Sequence, residues 1–447
     1  MPEILAPEQV KTALRRLHEN GFAAYAVGGC VRDSLLGKTP LDWDITTAAR
    51  PEETERVFSD CRLIETGVQH GTVTVLLDGL SLEITTFRVD GDYLDARHPA
   101  SVAFTSRLKE DLLRRDFTVN TLCWNEQDGV VDLCGGLADL QNGILRAVGA
   151  PDRRFSEDAL RILRGIRFAS VLGFTIEPNT AESILRNRQL LTKVAAERIR
   201  VEFSKLLCGK NAAAVLDRYR EVIAVFIPEV RTLFDCPQNT PYHCFDVYRH
   251  TLAALENIEP TEKLRLCMFF HDFGKPVCRK TDENGQDHFK GHQKVGAEIV
   301  KPILKRLRYD NSTVKTVTGW IAIHDLKSPK TKIEAKQLLS EIGVDNYRAL
   351  IKIKRADNRG KAQPHAIDEK LRRMADFLAE ILENHECYDL RGLAVNGDDL
   401  KAVGITDGKA IRDALNGLLG LVITEQCGNE PSALLAHIQR AQHIKIG

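Results

Sequence analysis

An α+β architecture, with a small mixed sheet in an N-terminal head and helical domains after it, is what this 447-residue sequence predicts. Three observations carry that expectation. Short β-rich stretches, separated by turn residues and flanked by helical spacing, fill roughly the first hundred residues. From Ser156 onward long amphipathic periodicity takes over with only short breaks. The length also exceeds what one hydrophobic core organises, so roughly two to four domains are expected.

In chain order, residues 8–19 place Val10, Leu14 and Leu17 at helical spacing, and GFAAYAVGG then reads as a buried strand entering a glycine turn. LDWDITT alternates as a strand does. TVTVLL (72–77) and LEITTFRV (82–89) are two more strands, joined across the turn residues Asp78 and Gly79. Helices run from Ser156 to about Leu207, with a break near Pro178. The remainder, 211–447, is again mostly helical, with loops at Cys236–Pro241, Asp282–Asp287 and Arg359–Pro364. No repeat and no low-complexity segment interrupts this order.

Composition narrows the class. Hydrophobic residues make up 43% and charged residues 28%, as in ordinary globular proteins, and Lys plus Arg equals Asp plus Glu at 62 each. A nucleic acid would therefore have to be gripped by local basic clusters such as Lys301–Lys315, Lys327–Lys332 and Lys352–Lys361, whose default reading is a solvated helix face. No apolar run reaches the about 18 residues that span a bilayer. The first residues are charged throughout and lack the apolar core of a signal peptide. A cytoplasmic location and no membrane partner are expected. Eleven cysteines, an odd number without any C-x-x-C, read as reduced core thiols, not as a disulfide framework or zinc ribbon.

Chemistry enters at Asp42 and Asp44. Side chains two apart on a strand share a face, so both carboxylates converge, and converging carboxylates suit a hard cation such as Mg²⁺ that bridges to phosphates. Glu83, on the LEITTF strand, is a candidate third carboxylate. Upstream, Gly28 and Gly29 allow backbone N–H groups to approach a triphosphate, and Arg32 follows at the start of a predicted helix. A D-x-D alone is common in surface turns. A glycine pair, an arginine and a D-x-D ten residues later form a far more specific set. No persuasive nucleophile motif accompanies it.

GGCVRDSLLGKTPLDWDITT resembles the signature of the nucleotidyltransferase superfamily that includes DNA polymerase β. LLRRDFTVNTLCWN (112–125), DLCGG (132–136), FSEDALRILRGIRFAS (155–170) and ERIRVEFSKLL (197–207) resemble, in order, further motifs of its tRNA-nucleotidyltransferase branch, the bacterial class II CCA-adding enzymes. The resemblance implies a head at 1–140, a helical neck at 141–210, a body with a second metal motif at 211–365 and a tRNA-binding tail at 366–447. It implies in-line attack of an RNA 3′-hydroxyl on the α-phosphate of CTP or ATP, with Mg²⁺ held by Asp42 and Asp44. Sugar and triphosphate contacts are implied for Arg114, Arg115 and Asp116. GDYLDARHPASVAF (91–104) looks like the flexible loop of CCA- and CC-adding enzymes. The partners implied are tRNA, CTP and ATP, with the chain acting as a monomer or homodimer.

In the EDxxR segment, Ser156 reads as an N-cap, and Asp158 and Arg161, three apart, would share one helix face. A carboxylate accepts from an exocyclic amine while a guanidinium donates to a ring nitrogen or carbonyl, so such a pair admits C and A and rejects G and U. Taken alone, the pair would be an ordinary surface salt bridge. Arg164 and Arg167 continue the spacing toward the triphosphate or base.

In the helical half, His250, His271-Asp272 and Asp357 follow the order H…HD…D, with His292 and His324 between them. The contexts YRHTL, FFHDFGK and RADN resemble the HD-domain phosphohydrolases. Mixed imidazole and carboxylate ligands suit Mn²⁺, Fe²⁺, Ni²⁺ or Mg²⁺ better than a closed zinc site. LAVNGDDLKAVGITDGKAIRDALNGLLGLVIT (393–424) is similar to the tail of bacterial tRNA nucleotidyltransferases. Three rivals are a poly(A) polymerase, a CC-adding enzyme, and an HD phosphohydrolase with a vestigial head. The neutral end AQHIKIG and the segment ETGVQHGTVTVLL (65–77) speak against the first, and the intact D-x-D and EDxxR against the last.

Overall fold

The computed structural model describes residues 3–64, 67–68, 71–91, 102–242 and 244–444. It divides into two compact units, Met1–Arg231 with Ile303–Tyr309, and Thr232–Pro302 with Asp310–Gly447. The expected loop at 91–104 falls largely outside the described residues, as do four positions of 65–77.

In the first unit, α1 (Glu8–Glu19) buries Val10, Leu14 and Leu17, as its spacing requires. A seven-stranded mixed sheet follows. Its strands are β1 (Ala24–Val27), β2 (Asp44–Thr47), β3 (Arg62–Ile64), β4 (Thr72–Leu77), β5 (Leu80–Thr86), β8 (Cys123–Asn125) and β9 (Gly129–Val131), in the order β3-β4-β5-β2-β1-β8-β9. A two-stranded ribbon, β6 (Arg88–Asp90) with β7 (Val102–Phe104), stands apart from it. The strand expected over 82–89 thus breaks at Phe87, a fully buried ring whose N–H bonds to Thr47 and ends the pairing with β2.

Within the seven-stranded sheet every pairing is antiparallel except β2 with β5. That pairing is parallel because the chain crosses over between them through α3 (Pro51–Val57), β3 and β4. Its register sets Asp44 beside Glu83. Leu82 and Ile84 of β5 are buried while Ser81 and Glu83 face out, so the period of two delivers Glu83 to the open face. Between β1 and β2 lies α2 (Gly29–Leu35). Its first cap, Gly28, has φ +84°, a conformation that favours glycine.

After α4 (Leu108–Leu113) and α5 (Gly136–Gln141), the unit continues with α6 (Pro151–Glu157), α7 (Leu160–Leu172), α8 (Pro178–Asn187) and α9 (Ala196–Leu207). One helix was expected from Ser156; the structure has a break. Asp158 is extended (φ −135°, ψ 103°), and its carboxylate accepts the N–H of Leu160, as a capping Asp does, so a new helix starts there. Ser156 is no N-cap. It lies inside α6 and donates to the Arg153 carbonyl.

Among the described residues the second unit is helical with one short hairpin, Lys280–Thr281 against Asp287–His288, which closes the loop expected at 282–287. Two apolar clusters organise its later helices, one around Tyr347, Leu350 and Met374 and the other around Leu400, Leu418 and Leu434. No described helix is long and apolar enough to cross a membrane. All eleven cysteines are free, but only Cys30, Cys123, Cys236, Cys267 and Cys387 are buried; Cys244 is exposed, so the core-thiol reading holds for part of them.

Candidate active site and metal centre

Asp42 precedes β2 and Asp44 opens it, and the residue between them, Trp43, is only 4% exposed. Burying that indole turns both flanking carboxylates outward, to the face that Glu83 shares. Partial burial and the neighbouring Asp42 and Glu83 charges push the Asp44 carboxyl up to about 6, against the pull of Arg115. Asp44 as a residue is exposed, so the mutual repulsion of three acids is the more telling of these causes. A divalent cation relieves that repulsion, and three carboxylates offer it oxygen ligands.

Arginines face this edge. Arg115 approaches the glycine turn so closely that a Cβ on Gly28 would meet its Nη1 at 3.3 Å. Arg114 and Arg115 are tethered by Asp111 at 2.7 and 3.5 Å. Asp111 is fully buried and also accepts from the Thr46 hydroxyl and the Arg88 N–H. Burial would raise the Asp111 carboxyl, yet the two arginines hold it low. Asp116 is held still lower against its burial by Arg164 (2.7 Å) and the Asn120 amide. Arg32 donates to Asn120 and pairs with Asp33. Arg167 pairs with Glu202 at 2.7 Å.

Asp158 and Arg161 do not form a pair. Asp158 binds Arg198 at 3.0 Å, and Arg161 is committed to Glu157 (2.8 Å) and the carbonyls of Arg154 and Arg114. The helix break between them removes the shared face that a three-residue spacing implies. Glu157 gathers Arg153, Arg154 and Arg161 on one carboxylate.

In the second unit, His250, His271, Asp272, His292, His324 and Asp357 come together from five separate segments. Each imidazole donates its Nδ1–H to a backbone carbonyl: His250 to Gly360, His271 to Met268, His292 to Phe289 and His324 to Ile321. That tautomer aims every Nε2 lone pair inward. One oxygen of Asp272 lies 3.5 and 3.2 Å from Nε2 of His250 and His271. The other lies 3.4 and 3.9 Å from those of His292 and His324. Asp357 closes the first group, 2.9 Å from His250. The two triads that share Asp272 each gather their ligand atoms within 4.8 Å. His271 Nε2 is buried without a well-aligned hydrogen-bond partner, an arrangement that a bound cation satisfies. Without one, burial would lower the His271 imidazole, but Asp272 and Asp357 outweigh it and push it up to about 9; His324, buried and facing His271, falls to about 3. A cavity of about 400 Å³ opens on the cluster, and Lys275 and Lys361 pair with Asp272 (2.7 Å) and Asp357 (2.6 Å) at its wall.

The poly A polymerase head domain model matches residues 24–146, the model described as a probable RNA- and SrmB-binding site of polymerase A matches 173–233, and the HD domain model matches 241–359. A CCA-adding enzyme of Lactiplantibacillus plantarum is 36% identical over 440 residues, covering 96% of this chain and 95% of its own length. The chain belongs to the CCA-adding enzymes. One from Streptococcus agalactiae is 34% identical over 433 residues, covering 96% of this chain and 95% of its own. The solved structure of the Bacillus stearothermophilus CCA-adding enzyme in complex with CTP matches with a TM-score of 0.73 at 28% identity, over 98% of both chains.

For a CCA-adding enzyme, the residues that sequence reasoning missed are the ones that aim the arginines. Asn120, Phe168, Arg198 and Glu202 lie inside the motif segments without a role assigned to them, and Asp111 stands just outside. Asp111 was findable, standing three and four residues before Arg114 and Arg115 at helical spacing. Asn120 and Glu202 are brought in only by the tertiary fold.

Proposed function

We propose that this enzyme builds the C, C and A of the tRNA 3′ end from CTP and ATP. The observation that carries this reading is the register that fixes Asp44 beside Glu83, with Asp42 on the same face and Arg115 at the adjoining glycine turn. Asp42 and Asp44, with Glu83 in support, would hold Mg²⁺, which when bound supplies charge neutralisation at the attacking hydroxyl and the leaving pyrophosphate. Arg32, Arg114, Arg115, Arg164 and Arg167 hold the triphosphate, and Asp116 keeps Arg164 aimed. No covalent enzyme intermediate is needed. Asp158 and Arg161 choose the base, the incoming amine of C or A taking the place of Arg198 on Asp158. The test is incubation with tRNA lacking its CCA end, CTP, ATP and Mg²⁺, followed by sequencing of the products. Addition of C, C and A in order supports the reading; CC alone or a run of A overturns it.

A second activity is favoured by the helical unit. Six ligands with converging lone pairs, and an Asp272 whose two oxygens serve different triads, fit one or two divalent metals such as Mn²⁺, Ni²⁺ or Fe²⁺. Lys275 and Lys361 at the cavity wall suit a phosphate ester, for instance a 2′,3′-cyclic phosphate. Clearing such a block would free a 3′-hydroxyl for nucleotide addition. Metal analysis after loading with Mn²⁺, Ni²⁺ or Co²⁺ tests it, and absence of bound metal overturns it.

A further inference from the structure

Phe168 carries no hydrogen-bonding group and is 4% exposed, yet three guanidinium groups surround its ring. The Arg167 carbon lies 3.6 Å from the ring centroid, that of Arg32 5.0 Å and that of Arg164 5.3 Å. Phe117 meets the ring edge-on at 5.9 Å and fixes it from the core side. Arg32 is anchored by Asp33 through Nε and Nη2 and by Asn120 through Nη1, Arg164 by Asp116 through Nε and Nη2, and Arg167 by Glu202 through Nε. For Arg167 that is its sole hydrogen bond among the described residues.

We infer that Phe168 is a positioning residue for the triphosphate: its π face gathers Arg32, Arg164 and Arg167 beside one another, and at Arg167 it does so without occupying the terminal donors. An aromatic face attracts a cation without neutralising it, whereas a further carboxylate would cancel the charge offered to a phosphate. Three like charges around one ring repel one another, and the ring quadrupole offsets part of that cost. The inference rests on the proposed assignment of these arginines to the triphosphate.

Phe168→Leu keeps an apolar side chain and removes the π face. Its KM for CTP and ATP is expected to rise about tenfold, with a similar loss of inhibition by pyrophosphate, while kcat stays within about twofold and KM for tRNA is unchanged. Phe168→Tyr, with thermal unfolding as the check on folding, is expected to restore both values. Should the leucine variant not fold, Phe168→Met replaces it. Unchanged KM and pyrophosphate inhibition, a loss confined to kcat, or a folded tyrosine variant that restores neither value overturns the inference. Arg167→Ala separates the two levels. If it also leaves nucleotide KM and pyrophosphate inhibition unchanged, the triphosphate assignment itself is at fault; if it raises them and Phe168→Leu does not, only the role of the ring fails.

Discussion

At the scale of single residues, Asp44 carries the clearest consequence. Its carboxyl is raised to about 6, so the folded chain binds more protons than the unfolded chain between about pH 4 and 6. Stability therefore falls as pH rises through that window, and the penalty is fully present above it. Asp44→Asn is expected to raise metal-free stability at pH 7.5 by about 1 kcal/mol, after discounting for the residue's exposure. The same change is expected to abolish nucleotide addition, as is Asp42→Ala. Urea unfolding with EDTA, beside incorporation assays, measures both; a variant that adds nucleotides at near wild-type rate removes the assigned metal site. Protons and metal compete for the same oxygens, so the acidic limb of the activity profile should move to lower pH as Mg²⁺ is raised. Asp158→Ala and Arg161→Ala are expected to relax base choice toward UTP and GTP, and competition assays with all four nucleotides would show it. A uniform loss of rate with selectivity intact would assign the pair to the fold.

The element that sets the arginine platform is α4 with the turn after it. Asp111 binds Arg114, Arg115, the Thr46 hydroxyl of β2 and the Arg88 N–H, tying the helix to the sheet. Asp111→Ala leaves two partly buried arginines and a buried hydroxyl without their acceptor. A loss of about 3 kcal/mol is expected, read from the shift in urea midpoint. The amide of Asp111→Asn keeps part of the hydrogen bonding and should lose less. Equal stability of Asp111→Ala and the parent would show that the platform is held elsewhere. The break between α6 and α7 belongs to this scale too. Helical spacing in SEDALRILRGIRF shows that a helix is present, but it does not show where one ends and the next begins. That was decided by Asp158 capping Leu160 and by Glu157 drawing three arginines onto one carboxylate.

For the molecule as a whole, the two sites lie in different compact units. His271→Ala and Asp272→Ala are expected to remove transition-metal binding and any hydrolysis of 2′,3′-cyclic phosphates while CTP and ATP addition survives. Metal content and incorporation, measured on one preparation, decide this, and loss of addition in a folded variant would overturn the separation. The sequence by itself determined the α+β class and the family, and it nominated the candidate site residues. Those follow from local periodicity and from motifs in which a few residue types must recur at short spacing, as in D-x-D, RRD, EDxxR and the His-Asp doublet. Only the tertiary structure decided which groups meet. Asp44 and Glu83 are neighbours because a crossover makes β2 and β5 parallel. Asp158 and Arg161 part because a cap breaks their helix. Four imidazoles converge because five segments far apart in the chain pack together, three of the rings being aimed by a carbonyl three residues before them and His250 by that of Gly360. Sheet register and the meeting of the ligand segments depend on partners far along the chain, where local spacing carries no information.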